Sequence, residues 1–177
     1  MGNSGPHSET QGPDGFTGGG SDPETGDDIP HVIAPPPLLY VGPLILGLTA
    51  DHWWPLGTTV PAPWRWLAGA LGLGLSGLLV AAILAFRRAR TRPEPWKPTT
   101  ALVVDGPYRF TRNPMYVGFT LIYAGVALLA DSAWPFLLLP AVLLVMQRFV
   151  IRREERYLER KFGDAYRAYC ASVRRWV

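Results

Sequence analysis

The chain has 177 residues, enough for one ordinary domain. Apolar residues make up 48% of it and charged residues only 18%, below the roughly 25% charged of typical soluble chains. The net charge of +3 is unevenly spread, because no Lys or Arg precedes Arg65 and almost all follow Ala85. Basic segments beside apolar spans are the bias of cytoplasmic loops in membrane proteins, which sets aside nucleic acid as the partner. A lone cysteine, Cys170, excludes an internal disulfide framework and fits a reducing compartment.

Residues 1–31 are rich in Gly, Ser and Pro and carry Glu9, Asp14, Asp22, Glu24, Asp27 and Asp28 with no Lys or Arg. Such a segment cannot bury enough apolar surface to offset its ordering entropy, so a disordered acidic tail is expected. It has neither the basic start nor the apolar run of a signal peptide, so no cleavage is expected.

Residues 32–177 read as the membrane domain. A helix of roughly 20 apolar residues crosses a bilayer core. Four stretches are candidates: 32–50, 66–86, 116–130 and 134–151, of which the third is short and is expected to begin before Tyr116 or to sit in a locally thin region. The first is interrupted by Pro35, Pro36, Pro37 and Pro43. The last two are separated only by Asp131, Ser132 and Ala133, a connection that forces an antiparallel hairpin. Within the second, Gly72, Gly74 and Gly77 match a dinucleotide-binding spacing. That spacing has meaning only where a strand meets a helix start, so here it reads as a small-residue packing face with Ala70/Gly74 and Gly72/Ser76 as pairs.

Orientation follows from charge. Arg87, Arg88, Arg90, Arg92, Lys97, Arg109 and Arg112 follow the second span, and a second basic run follows the fourth. Both segments are expected in the cytoplasm, with both termini. Trp53, Trp54, Trp64 and Trp134 then form an aromatic belt at the opposite boundary.

Two cytoplasmic stretches carry the specific polar residues. In residues 99–118, Asp105, Gly106 and Pro107 read as a turn, and Pro114 begins the third span. The free N–H groups of that helix start suit the negative end of a ligand, with Tyr108 and Tyr116 flanking it. In residues 152–176 the fourth span continues as an amphipathic helix, with Gly163 as its C-cap and Asp164 as the N-cap of a further helix. On that helix Tyr166, Tyr169 or Cys170, and Val173 share a face. Glu154 and Glu155 lie about one turn beyond the membrane edge, where an unpaired carboxylate is costly. No nucleophile–base pair and no zinc-ligand spacing is visible, so neither hydrolysis nor metal catalysis is expected. A reaction that needs orientation and a dry pocket fits better.

Residues 106–118 (GPYRFTRNPMYVG) followed by residues 154–169 (EERYLERKFGDAYRAY) resemble the isoprenylcysteine carboxyl methyltransferase family, itself related to the phospholipid N-methyltransferases. The resemblance covers about half the chain. It implies an all-α integral membrane protein of four transmembrane helices, with cytoplasmic C-terminal helices closing a cofactor pocket. It also implies S-adenosylmethionine as cofactor and a lipid-like acceptor entering from among the membrane lipids. Carried over by motif, Thr100, Ala101, Leu102, Val103, Tyr108, Asn113, Pro114, Met115, Tyr116 and Glu154 would bind the cofactor. A carboxylate acceptor needs no base, since it is already ionised. An amine or hydroxyl would need one, for which Glu155 and Tyr116 are the candidates. Arg152 or Arg153 would hold an anionic acceptor.

The family usually shows Arg-His-Pro where this chain has Arg112, Asn113 and Pro114. Asn keeps hydrogen-bonding capacity but does not titrate. The prenylated cysteine is therefore the family's acceptor, not one read from this chain. Two other readings compete: an NADPH-dependent membrane reductase of the sterol type, and a non-enzymatic membrane protein.

Overall fold

The computed structural model describes residues 34–94 and 97–176, with Met1. The acidic tail expected at residues 1–31 otherwise lies outside the described residues. Among these the only regular elements are helices. Helix α1 is Pro36–Trp53, α2 is Ala62–Leu75 and α3 is Gly77–Arg88. A 3₁₀ turn at Gly106–Arg109 follows, then α4 (Pro114–Leu129) and α5 (Trp134–Val145). A π-helical turn, Met146–Ile151, joins α5 to α6 (Arg152–Ser172).

The helix starts follow from proline chemistry. Pro36, Pro63, Pro114 and Pro135 all lie at the first or second helical position, where no intrahelical partner awaits the N–H that proline lacks. The first span is therefore shifted from 32–50 to Pro36–Trp53, and it passes through Pro43 without ending. The second is longer than 66–86 and is broken at Ser76, whose hydroxyl donates to Leu73 O. Among the described residues, Ala62–Arg88 and Trp134–Ser172, each taken as one helix, are the two long and apolar enough to cross a membrane. Helix α4 is apolar but shorter, with 16 residues that reach about 24 Å at 1.5 Å per residue.

Helix α4 lies at the centre, packed by α1, α2, α3 and α5. Glycine makes this possible. An added Cβ at Gly118 would stand 2.7 Å from Leu79 Cβ, and one at Gly125 would stand 3.1 Å from Gly69 O. The small-residue face of α2 is therefore Gly69 and Gly72. Gly74, expected in that face, has nothing within 4 Å of such a Cβ and is exposed. Residues three apart, not the four-residue pairs Ala70/Gly74, face α4.

Tyrosine hydroxyls lock the interior. Tyr40 OH donates to Tyr116 O at 3.3 Å and shares a hydrogen bond with Thr120 Oγ1 at 3.1 Å. Tyr123 OH donates to Pro135 O at 2.8 Å. At the end away from the basic loops, Asp131 caps the loop between α1 and α2. It accepts from Thr58 N (3.0 Å) and Thr58 Oγ1 (2.8 Å) and pairs with Arg65. Large apolar side chains such as Leu38, Ile45, Leu71 and Val80 point outward.

Gly118→Ala is expected to destabilise the bundle by about 1–3 kcal/mol through overpacking against Leu79, while Gly74→Ala leaves it unchanged. Thermal unfolding of the two variants in one detergent checks this, and equal midpoints would refute the packing assignment.

Candidate active site

A cleft opens where the two polar stretches meet, at the α3/α6 end of the bundle. It encloses about 800 Å³ of empty space, its mouth included. One wall comes from the segment before α4 (Ala101, Leu102, Val103, Tyr108, Asn113) and the first turn of α4 (Met115, Tyr116). The other comes from α6, through Glu154, Glu155, Tyr157, Leu158, Tyr166 and Tyr169. Phe86, from the end of α3, stands edge-on to Tyr108 with ring centroids 5.5 Å apart.

Helix α6 reaches both sides of the cleft because it breaks at Gly163, which has φ +51° and ψ −122°. That conformation favours glycine and turns the chain at the point expected for a helix cap. The second half then lays Tyr166 and Tyr169 on Val103 and Tyr108, with Cys170 and Val173 half-buried beside them. Tyr169 OH donates to Tyr108 O at 2.7 Å, closing this aromatic wall. Burial raises the Tyr108, Tyr166 and Tyr169 hydroxyls above their ordinary range, so they stay protonated donors.

Two carboxylates in sequence meet opposite fates. Tyr116 OH donates to Glu154 Oε1 at 2.6 Å. Glu154 lies past the apolar run that ends at Ile151, facing the cleft. Desolvation, opposed by the Tyr116 hydrogen bond and helped by the charge of Glu155, raises its carboxyl to about 7. Glu155 is instead held by two guanidiniums. Arg175 donates to it through Nε and Nη2, both at 2.8 Å, and Arg112 Nη1 lies 3.3 Å from its Oε1. Arg112 Nη1 also donates to Cys170 Sγ at 2.8 Å.

Residues 173–176 continue as an extended strap. Arg112 N donates to Arg174 O (2.9 Å), while Thr111 Oγ1 (3.2 Å) and Asn113 Nδ2 (2.9 Å) both donate to Arg175 O. Asn113 is thus bound to the strap and buried.

Of the residues singled out in the sequence, Ala101, Leu102, Val103, Tyr108, Asn113, Met115, Tyr116, Glu154 and Glu155 line the cleft. Thr100 is exposed and donates its N–H to Thr91 Oγ1. Pro114 is buried under the helix start, outside the lining. Arg152 is exposed and Arg153 half-buried, and neither lines the cleft. Sequence reasoning passed over Arg92, Glu94, Arg112 and Tyr157 as site residues. The signal for Tyr157 was its place one turn beyond Glu154 on the same helix. Two of the lining residues present buried polar atoms without a partner among the described residues, Arg112 Nε and Glu94 Oε2. The wall therefore offers a donor and an acceptor to a ligand that brings an anionic end and a hydroxyl or amine.

The sequence pattern of the phospholipid methyltransferase family matches residues 64–165. The chain belongs to this family. A stretch of 63 residues is 43% identical to an uncharacterized protein of Haemophilus influenzae, covering 36% of this chain and all of that protein. Another of 72 residues is 40% identical to the protein-S-isoprenylcysteine O-methyltransferase of Schizosaccharomyces pombe, covering 41% of this chain and 30% of that one. No solved structure matches significantly.

Because the fold raises the Glu154 carboxyl, its contribution to stability is complete below the ordinary carboxyl value of 4.5 and is lost as pH rises through about 7. Unfolding midpoints of the ligand-free chain are expected to fall across that window and level off above it. Glu154→Gln, which cannot ionise, is expected to flatten this component; an unchanged profile in the variant would contradict the assignment.

Proposed function

We propose that the chain transfers a methyl group from S-adenosylmethionine to a lipophilic acceptor carried by the membrane. The observation that carries this reading is the Tyr116–Glu154 pair, set in an aromatic-walled cleft on a chain of the phospholipid methyltransferase family. The fit of the cleft to this cofactor rests on its unpartnered polar atoms. Arg112 Nε suits the methionyl carboxylate, and Glu94 Oε2 suits a hydroxyl or amine. The rings of Phe86, Tyr108, Tyr166 and Tyr169 suit the adenine, and Ala101, Leu102 and Val103 line its edge. Once bound, the sulfonium supplies an already activated methyl, so the residues of the chain need only orient the acceptor and exclude water.

Their tasks divide by charge. Glu154, which a nearby cation would hold ionised, is the residue that would meet a positively charged donor in the cleft. Glu155 has both oxygens taken by Arg112 and Arg175, so it orients these arginines. For an amine acceptor the proton passes to the Tyr116–Glu154 pair. For a carboxylate acceptor no base is needed. Arg152 and Arg153, outside the cleft, would serve an anionic acceptor only at the membrane surface.

The same reading gives the topology. Helices α1, α2 with α3, α4, and α5 with the π turn make four crossings, with both termini and the cleft in the cytoplasm. The basic residues after α3 and in α6 support this orientation, and the outward apolar side chains of α1 to α3 support lipid contact. Helix α4, shorter than the bilayer core, is shielded from lipid by the helices around it.

Calorimetric titration of the detergent-purified chain with S-adenosylmethionine tests the reading. Saturable binding is expected, and Glu154→Ala should weaken it by at least about tenfold, or 1.4 kcal/mol. The chain should also move labelled methyl into total membrane lipid. Binding of NADPH without S-adenosylmethionine would favour a reductase, and binding of neither would favour a non-enzymatic role.

A further inference from the structure

The strap that ends α6 reaches from the cleft into the apolar bundle. On its cleft side Arg175 grips Glu155, and its backbone is pinned to Thr111, Arg112 and Asn113. One residue on, Trp176 leaves the polar region. Its indole Nε1 donates to Gln147 Oε1 at 3.2 Å, and its ring packs against the buried cluster that includes Tyr116, Met146, Val150 and Ile151. Tyr116 belongs to both sides, lining the cleft with its hydroxyl on Glu154 and forming part of the cluster on which Trp176 packs. Gln147 lies in the π turn, the kind of local helix widening that recurs at functional sites. Its neighbours Leu144 and Phe149 are 55% and 43% exposed, so this flank of the turn looks outward.

We propose that Trp176 is the seal between the cleft and the bilayer at the junction of α4 and the π turn, and that its bulk sets which lipid chains reach the methyl donor. The proposal rests on the lipophilic-acceptor reading above. Tyr116 of α4 and Glu154 of α6 meet at the cleft, and an acceptor arriving sideways between these helices would meet Trp176, held on the π turn and on the cluster that contains Tyr116. The indole suits the position because its flat apolar body matches hydrocarbon while its N–H needs a polar partner, which Gln147 supplies. A ring held by one hydrogen bond and by packing can be displaced by an incoming chain of suitable width. The cost of displacing it discriminates among chains before any chemistry occurs. Arg175 is then a positioning residue, since its ion pair with Glu155 sets the height at which Trp176 is held.

The single cysteine provides a reporter that does not depend on methyl transfer. Cys170 is half-buried and bonded to cleft-lining Arg112. The full chain in phosphatidylcholine nanodiscs is labelled in parallel with a long-chain N-alkyl maleimide, which partitions into lipid, and with a sulfonated maleimide confined to water. Trp176→Ala is expected to speed the lipid-borne reagent by about an order of magnitude and leave the aqueous one within about twofold, because labelling tracks opening on one side only. Trp176→Phe should fall between the variant and the parent, which keeps the test decisive if the alanine variant folds poorly. Equal acceleration of both reagents would show that the strap only holds α6 in place, and no acceleration would show that Trp176 seals nothing; either overturns the proposal. Failure of the parent chain to bind S-adenosylmethionine would remove the acceptor reading and this proposal with it. The labelling ratio, which needs no donor, tells that failure apart from the others.

Discussion

The hydrogen bond from Tyr116 to Glu154 joins the two halves of the site across the edge of the apolar bundle. A carboxyl at such a boundary is tolerated only if something replaces the water it loses. Here a tyrosine hydroxyl does so from the first turn of α4, the helix on which the others pack. Tyr116 N in turn bonds to Asn113 O, and Asn113 holds the strap. The central helix, the carboxyl and the closing segment are thereby coupled through one short run of residues.

That coupling explains the contrast between neighbouring glutamates. Glu154 faces a cavity with one donor and keeps a raised proton affinity, open to influence by a cation. Glu155, one residue and about 100° further round the helix, is saturated by two arginines. Adjacent identical residues thus divide into one left facing the cleft and one fixed by two arginines. The sequence alone shows only two acids in a charged run.

Much of the architecture was legible because its causes are local. Proline at helix starts, the Gly163 break and the short link through Asp131 are set by backbone chemistry within a few residues. The polar stretches were legible as motifs, and the fold brings Ala101 to Val103, Tyr108 and Tyr116 to one cleft with Glu154. The failures come from longer range. The seam on α2 uses Gly69 and Gly72 in place of Gly74, because the face is chosen by Gly125 on another helix. Arg152 and Arg153 looked equivalent to any nearby arginine, yet Arg112 lines the cleft, since only the fold decides which side of α6 looks inward. Thr100 turns away for a similarly distant reason: its N–H is taken by Thr91.

The π turn at Met146–Ile151 has a consequence for phase. A π turn accommodates one residue more than the α-helical path, which rotates everything after it by about 100° relative to an uninterrupted helix. The outward apolar pattern of α5 and the cleft-facing pattern of α6 therefore need not share a common stripe. The extra residue acts as an angular offset between two surfaces, one apolar and outward and one turned to the cleft. Each can vary in sequence without dragging the other out of alignment, while the length of the turn itself has no such freedom.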